Sequence, residues 1–128
     1  MQISEAESVV MDVLWRASAT RGAGVPADAV VAALAEARDW QEPTIKTLLN
    51  RLLKKGAIKA SKDGRRYLYT PVLERRDWVL GESQGLLERL FDGRVAPLVA
   101  HFSEHRKLSP KDIAELRKLL EEIDDGTR

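Results

Sequence analysis

A chain of 128 residues can bury a core without staples, and it allows one ordinary domain or a small domain with a helical appendage. The absence of cysteine excludes a disulfide framework and a thiolate metal site, and no apolar run approaches the roughly 20 residues of a membrane helix. Net charge is only +1, yet residues 43–72 hold eight Lys or Arg against the single acid Asp63, while residues 73–128 hold ten basic and twelve acidic side chains.

A local excess of this kind fits a surface that meets phosphates, or an ordinary solvated basic face. The opening MQISEAES has neither the basic nor the apolar region of a secretory leader. The expected protein is soluble and cytoplasmic, with no membrane insertion.

Ser4-Glu5-Ala6-Glu7 forms a capping box that starts a first helix. Ala6, Val9, Val10, Val13 and Ala17 give it one apolar face, and Met11 with Trp15 gives it another, so the helix should be covered on two sides. Ala19–Gly24 reads as a loop, without the Gly-Lys-Ser/Thr of a phosphate loop. Val25 can add a strand residue. Pro26 suits the first turn of a second helix, which buries Val30, Val31 and Leu34 and ends near Arg38.

Pro43 marks the start of a third helix with two sharply different faces. Ile45, Leu48, Leu49, Leu52 and Leu53 cluster on one face, and Lys46, Thr47, Asn50, Arg51 and Lys54 on the other. The polar set matches base-edge chemistry: Asn for adenine, Arg or Lys for guanine, Thr for a thymine methyl or a phosphate. Gly56 falls where a helix C-cap needs positive φ. Ala57–Lys62 and Arg65–Thr70 are β-prone runs around Asp63-Gly64, a strong hairpin signal. Tyr67 and Tyr69 share one face of that ribbon, Lys62, Arg65 and Arg66 crowd its tip, and Pro71 closes it. Three helices followed by a basic hairpin is the winged helix-turn-helix plan, here spanning residues 1–72.

From residue 73 to 128 the pattern is helical throughout, so the fold class is mainly α with a small β-hairpin. Val79, Ser83, Leu86, Leu87 and Leu90 mark a fourth helix, broken at Asp92-Gly93. Val95, Leu98, Val99 and Phe102 mark a fifth. Ser109-Pro110, with Asp112 three residues after the Ser, caps a sixth that carries Ile113, Leu116, Leu119, Leu120 and Ile123. Three amphipathic helices have little core of their own. Two arrangements are open: a homodimer that buries Val79, Leu86, Leu87, Leu90, Leu98, Phe102, Ile113, Leu116, Leu120 and Ile123 against a second copy, or a fold-back onto the N-terminal domain.

Enzyme chemistry finds no support. His101 and His105 have chelating spacing, but HFSEH lacks the metalloprotease order and Glu104 is a poor third ligand. No Ser sits in G-x-S-x-G, so no catalytic residue, metal or cofactor is expected.

The stretches ISEAE and VVMDVLW, TIKTLLNRLLKKGAI, DGRRYLYTPV and LSPKDIAELRKLLEE make the chain resemble the penicillinase repressor family over nearly its full length. The resemblance implies a winged-helix dimer on a palindromic double-stranded operator, with helix 43–55 as the recognition helix and 57–71 as the wing. It places Thr44, Lys46, Thr47 and Arg51 at positions where such repressors contact DNA. Family members are released when a membrane sensor-protease triggers cleavage at an Asn-Phe bond in the fifth helix. The matching pair here is His101-Phe102, so the Asn is missing. Proteolysis at a changed site, a small ligand and constitutive binding all stay open. The lack of cysteine argues against the family's copper-responsive branch. The rival reading is a winged-helix module that binds a protein partner without specific DNA binding. Salt dependence separates the two, because each neutralised phosphate steepens the slope of log affinity against log salt by about 0.9.

Overall fold

A computed structural model describes residues 1–21 and 24–126 of the chain. Its elements run α1 (Glu5–Arg21), β1 (Val25–Pro26), α2 (Ala27–Arg38), α3 (Glu42–Lys55), β2 (Ile58–Asp63), β3 (Arg66–Pro71), α4 (Arg75–Phe91), α5 (Val95–Glu104) and α6 (Pro110–Gly126).

The capping box at the head of α1 forms in full. The Glu7 amide donates to Ser4 Oγ at 3.1 Å, and the Ser4 amide donates to Glu7 Oε1 at 2.7 Å. The helix runs further than expected, through Ala19 to Arg21. Of the Ala19–Gly24 loop, Gly22 and Ala23 lie outside the described residues. The fully buried side of α1 is Glu7, Val10, Met11 and Leu14, while Ala6, Val9, Val13, Trp15 and Ala17 are half-buried around it. With apolar residues on both sides of the helix, periodicity alone does not single out Leu14 as the innermost.

Pro26 ends β1 and stands just before α2, one position earlier than the first helical turn, with an extended ψ of 150°. β1 and β2 flank β3 in a three-stranded antiparallel sheet of order β1-β3-β2. The hairpin turn is Gly64-Arg65 rather than Asp63-Gly64, since Asp63 pairs with Arg66. Gly64 takes φ 67°, as a two-residue turn with glycine first requires. Helices α1, α2 and α3 pack on one another and α1 on β3. Together they enclose Ile3, Val10, Met11, Leu14, Val25, Val30, Leu34, Ile45, Leu48, Leu49, Leu52, Ala57 and Ile58. This is a winged helix-turn-helix.

The chain divides into two compact units, Met1–Val79 and Leu80–Arg128. The division falls inside α4, later than the junction expected at 72/73. Two contacts hold the start of α4 to the first unit: the Trp15 indole donates to the Leu73 carbonyl at 2.8 Å, and the Trp15 and Trp78 rings meet at 5.5 Å.

In the second unit α4 ends at Asp92 and Gly93, both with positive φ. The cap of α6 repeats the reciprocal pattern of α1, with Asp112 N–H donating to Ser109 Oγ at 3.0 Å and Ser109 N–H to Asp112 Oδ2 at 3.2 Å. Leu98, Val99 and Phe102 of α5 line a cleft of about 300 Å³ with Leu108, Leu116 and Leu119. Among the described residues, none of this unit's apolar side chains is fully buried. No described helix is long and apolar enough to cross a membrane.

Candidate nucleic-acid interface

Helix α3 builds one wall of the candidate site. Glu42 is its first residue and Pro43 its second, where a proline loses no helical hydrogen bond. At the other end Gly56, at φ 78°, forms a Schellman closure: its N–H donates to Leu53 O at 3.1 Å and that of Ala57 to Leu52 O at 3.0 Å. Ile45, Leu48, Leu49 and Leu52 are buried and Leu53 is half-buried, which pins the rotation of the helix. Thr44, Lys46, Thr47, Asn50, Arg51 and Lys54 are therefore all exposed.

Their chemistry differs from residue to residue. The side chains of Asn50, Arg51 and Lys54 make no hydrogen bond or ion pair within the described chain, so each can meet a ligand at no cost in broken bonds. Thr47 Oγ1 donates to the Pro43 carbonyl at 2.9 Å, which leaves its methyl and its lone pairs for an incoming group. Lys46 is 4.0 Å from the Glu42 carboxylate, an exposed pair worth little in water. Lys55 belongs to the same basic cluster in sequence, but it turns inward to donate to Glu7 Oε1 at 2.5 Å.

The hairpin builds the other wall. Lys62, Arg65 and Arg66 are exposed at its end, yet they do not form one patch. Arg66 lies opposite Asp63 and pairs with it at 3.6 Å on one face of the ribbon. Lys62 lies opposite Tyr67 on the other face, its ammonium 5.8 Å from the ring centre. Arg65 occupies the turn itself. Tyr67 is 51% exposed and escaped the expected contact set, although its spacing from Tyr69 already placed both on one face.

In the second unit the expected self-association residues are largely open. Leu86, Leu90, Phe102, Ile113, Leu120 and Ile123 are exposed, and Leu87, Leu98 and Leu116 are half-buried; Val79, the last residue of the first unit, is half-buried too. The His101-Phe102 bond lies within α5, and the His101 ring lies 4.8 Å from that of His105 and 5.9 Å from that of Phe91. Among the described residues no three His, Asp or Glu side chains converge as a metal site.

The profile of the penicillinase repressor family matches residues 3–122. The penicillinase repressor of Bacillus licheniformis is 37% identical over 121 residues, covering 94% of this chain and 91% of that protein. The methicillin resistance regulatory protein MecI of Mammaliicoccus sciuri is 33% identical over 119 residues, covering 93% of each. Among solved structures, the Bacillus licheniformis BlaI monomeric form in complex with the blaP half-operator is 39% identical, with a TM-score of 0.51 over 60% of this chain and 88% of that one.

Proposed function

The chain belongs to the penicillinase repressor family, and we propose that it is a transcriptional repressor that binds double-stranded operator DNA as a homodimer. The observation that carries this reading is α3, whose leucine face is locked into the core while Lys46, Thr47, Asn50, Arg51 and Lys54 are exposed on the opposite side. A buried stripe that fixes helix rotation presents a fixed set of base-reading groups to a major groove. The wing lies beside it, with Lys62, Arg65 and Arg66 available to flanking phosphates. Function through binding needs no catalytic group and no cofactor, and a place beside DNA puts the protein in the cytoplasm.

Dimerisation through the second unit is supported by its open apolar side chains, since pairing with another copy would remove them from water. Release by a sensor-protease at His101-Phe102 is the finer part of the proposal. The bond is helical, so cutting requires α5 to open locally. Recovery of only intact chain after induction, read by mass spectrometry, would remove it.

Selection of bound fragments from the source genome tests the main reading. Palindromic fragments with half-sites near multiples of about 10 bp are expected, with affinity falling steeply in salt. Salt-insensitive binding would favour a protein partner. Arg51→Ala should cost about 1–3 kcal/mol, concentrated at one base position, if the guanidinium makes a bidentate base contact; equal weakening on every sequence would recast it as a phosphate contact. Arg65→Ala should weaken all sequences alike and lower the salt slope by about 0.9 per protomer, about 1.8 for the dimer, and Arg66→Ala should do the same to a smaller degree because Asp63 already pairs with it. Unchanged slopes would take the turn out of the interface.

A further inference from the structure

We propose that Tyr67 contacts the DNA backbone, its ring packed on a deoxyribose and its hydroxyl donating to a phosphate of the strand between the groove read by α3 and the groove beside the wing. This rests on the repressor reading above. The two faces of the wing carry the argument. Ile58, Ala60, Lys62, Tyr67 and Tyr69 share one face by strand register, and Ser61, Asp63, Arg66 and Leu68 share the other. The first face begins in the core at Ile58 and runs outward through half-buried Tyr69 to exposed Tyr67. Tyr67 and Tyr69 of this face, with Arg66 at the tip, line a cleft of about 310 Å³ together with Lys46 and Glu42 at the start of α3 and Asp28 of α2.

A helix seated in a major groove and a ribbon beside it are separated by one sugar–phosphate strand. That strand must pass over this cleft. The helix side of the cleft carries two carboxylates, Asp28 and Glu42, which keep a phosphate off its floor. The rim carries Lys46 on one side and Tyr67 with Arg66 on the other. The Lys62 ammonium lies over the Tyr67 ring, 5.8 Å from its centre, and braces it. A phenol with an apolar body and a donor tip suits the alternating sugar and phosphate of the backbone. Arg66 also lines this cleft, but its guanidinium is already paired with Asp63 at 3.6 Å, so it is the less available contact.

Full-length protein is titrated by fluorescence anisotropy against its selected operator duplex and against a scrambled duplex, across a salt series. Tyr67→Phe is expected to weaken both duplexes about 3- to 10-fold through loss of the hydroxyl donor. Tyr67→Ala is expected to weaken both about 10- to 50-fold, because the ring contact goes too. Neither should change the salt slope, whereas Lys62→Ala should lower it by about 0.9 per protomer, about 1.8 for the dimer. Thermal unfolding guards the comparison: if Tyr67→Ala lowers the midpoint, Tyr67→Phe alone decides. Wild-type affinity in Tyr67→Phe and Tyr67→Ala overturns the contact while the repressor reading stands. Failure of the wild-type chain to bind any duplex in a salt-dependent way overturns that reading, and this contact with it.

Discussion

A chain ended after Val79 is expected to stay folded and monomeric, and to bind a full operator about 100- to 10,000-fold more weakly than the intact protein. The folding half of this expectation follows from burial. Every buried apolar side chain among the described residues, from Ile3 to Ile58, lies in Met1–Val79. The affinity half follows from linkage. Two reading heads joined through one dimer make the second half-site contact effectively intramolecular, and avidity of that kind adds about two to four decades. The cut matters as well. Ending at Val72 would also remove Leu73 and Trp78, and with them the acceptor for the Trp15 indole and the ring packed on it. That shorter chain should be less stable than the one ending at Val79. Sedimentation gives the oligomeric state and anisotropy gives the affinity. A truncated chain that still dimerised, or that kept the full operator affinity, would sink the assignment of dimerisation to α4–α6.

Most of the architecture was legible because its signals are local. Ser4 with Glu7 and Ser109 with Asp112 each announce a helix start within four residues, and both boxes close as expected. Gly56 announces the end of α3, and the strict leucine stripe of that helix separates buried from exposed residues. What stayed hidden depends on contacts distant in sequence. Trp15 and Leu73 are 58 residues apart, so nothing near residue 73 shows that the start of α4 belongs to the first unit. Lys55 looks like one more cation of the basic cluster until the fold brings it to Glu7, 48 residues away. The hairpin was visible in outline, but its turn lies one residue later than the Asp-Gly pair implied. That register decides which cations share a face. Once Asp63 pairs with Arg66, Lys62 must pair with Tyr67, and the wing tip becomes two surfaces.

Glu7→Ala is expected to cost about 2–4 kcal/mol of stability, and to lower the unfolding midpoint by about 10–20 °C for a unit of this size. The carboxylate is 2% exposed and joins two elements: its Oε1 accepts from the Ser4 amide at the head of α1 and from Lys55 Nζ at the tail of α3. Loss of the cap accounts for about 1 kcal/mol. The rest comes from the space left behind and from stranding Lys55, a cost softened because the Lys55 side chain is 39% exposed and can turn to water. The pH dependence tests the electrostatic share separately. Burial pushes the Glu7 carboxyl up, but the Lys55 hydrogen bond, the two bonds from Ser4 and the Lys55 charge outweigh it and hold the value below the ordinary one. A depressed carboxylate stabilises the native state fully above its unfolded value, about 4.3, and loses that contribution as pH falls through the lower native value. The stability gap between wild type and Glu7→Gln, measured by urea unfolding, should therefore narrow from neutral pH to about pH 3. A gap that stayed constant over that range would mean that Glu7 acts by shape and hydrogen bonding alone, without a contribution from its charge. The same comparison bears on α3, since Glu7 and Lys55 tether the end of the helix that presents Arg51 and Lys54.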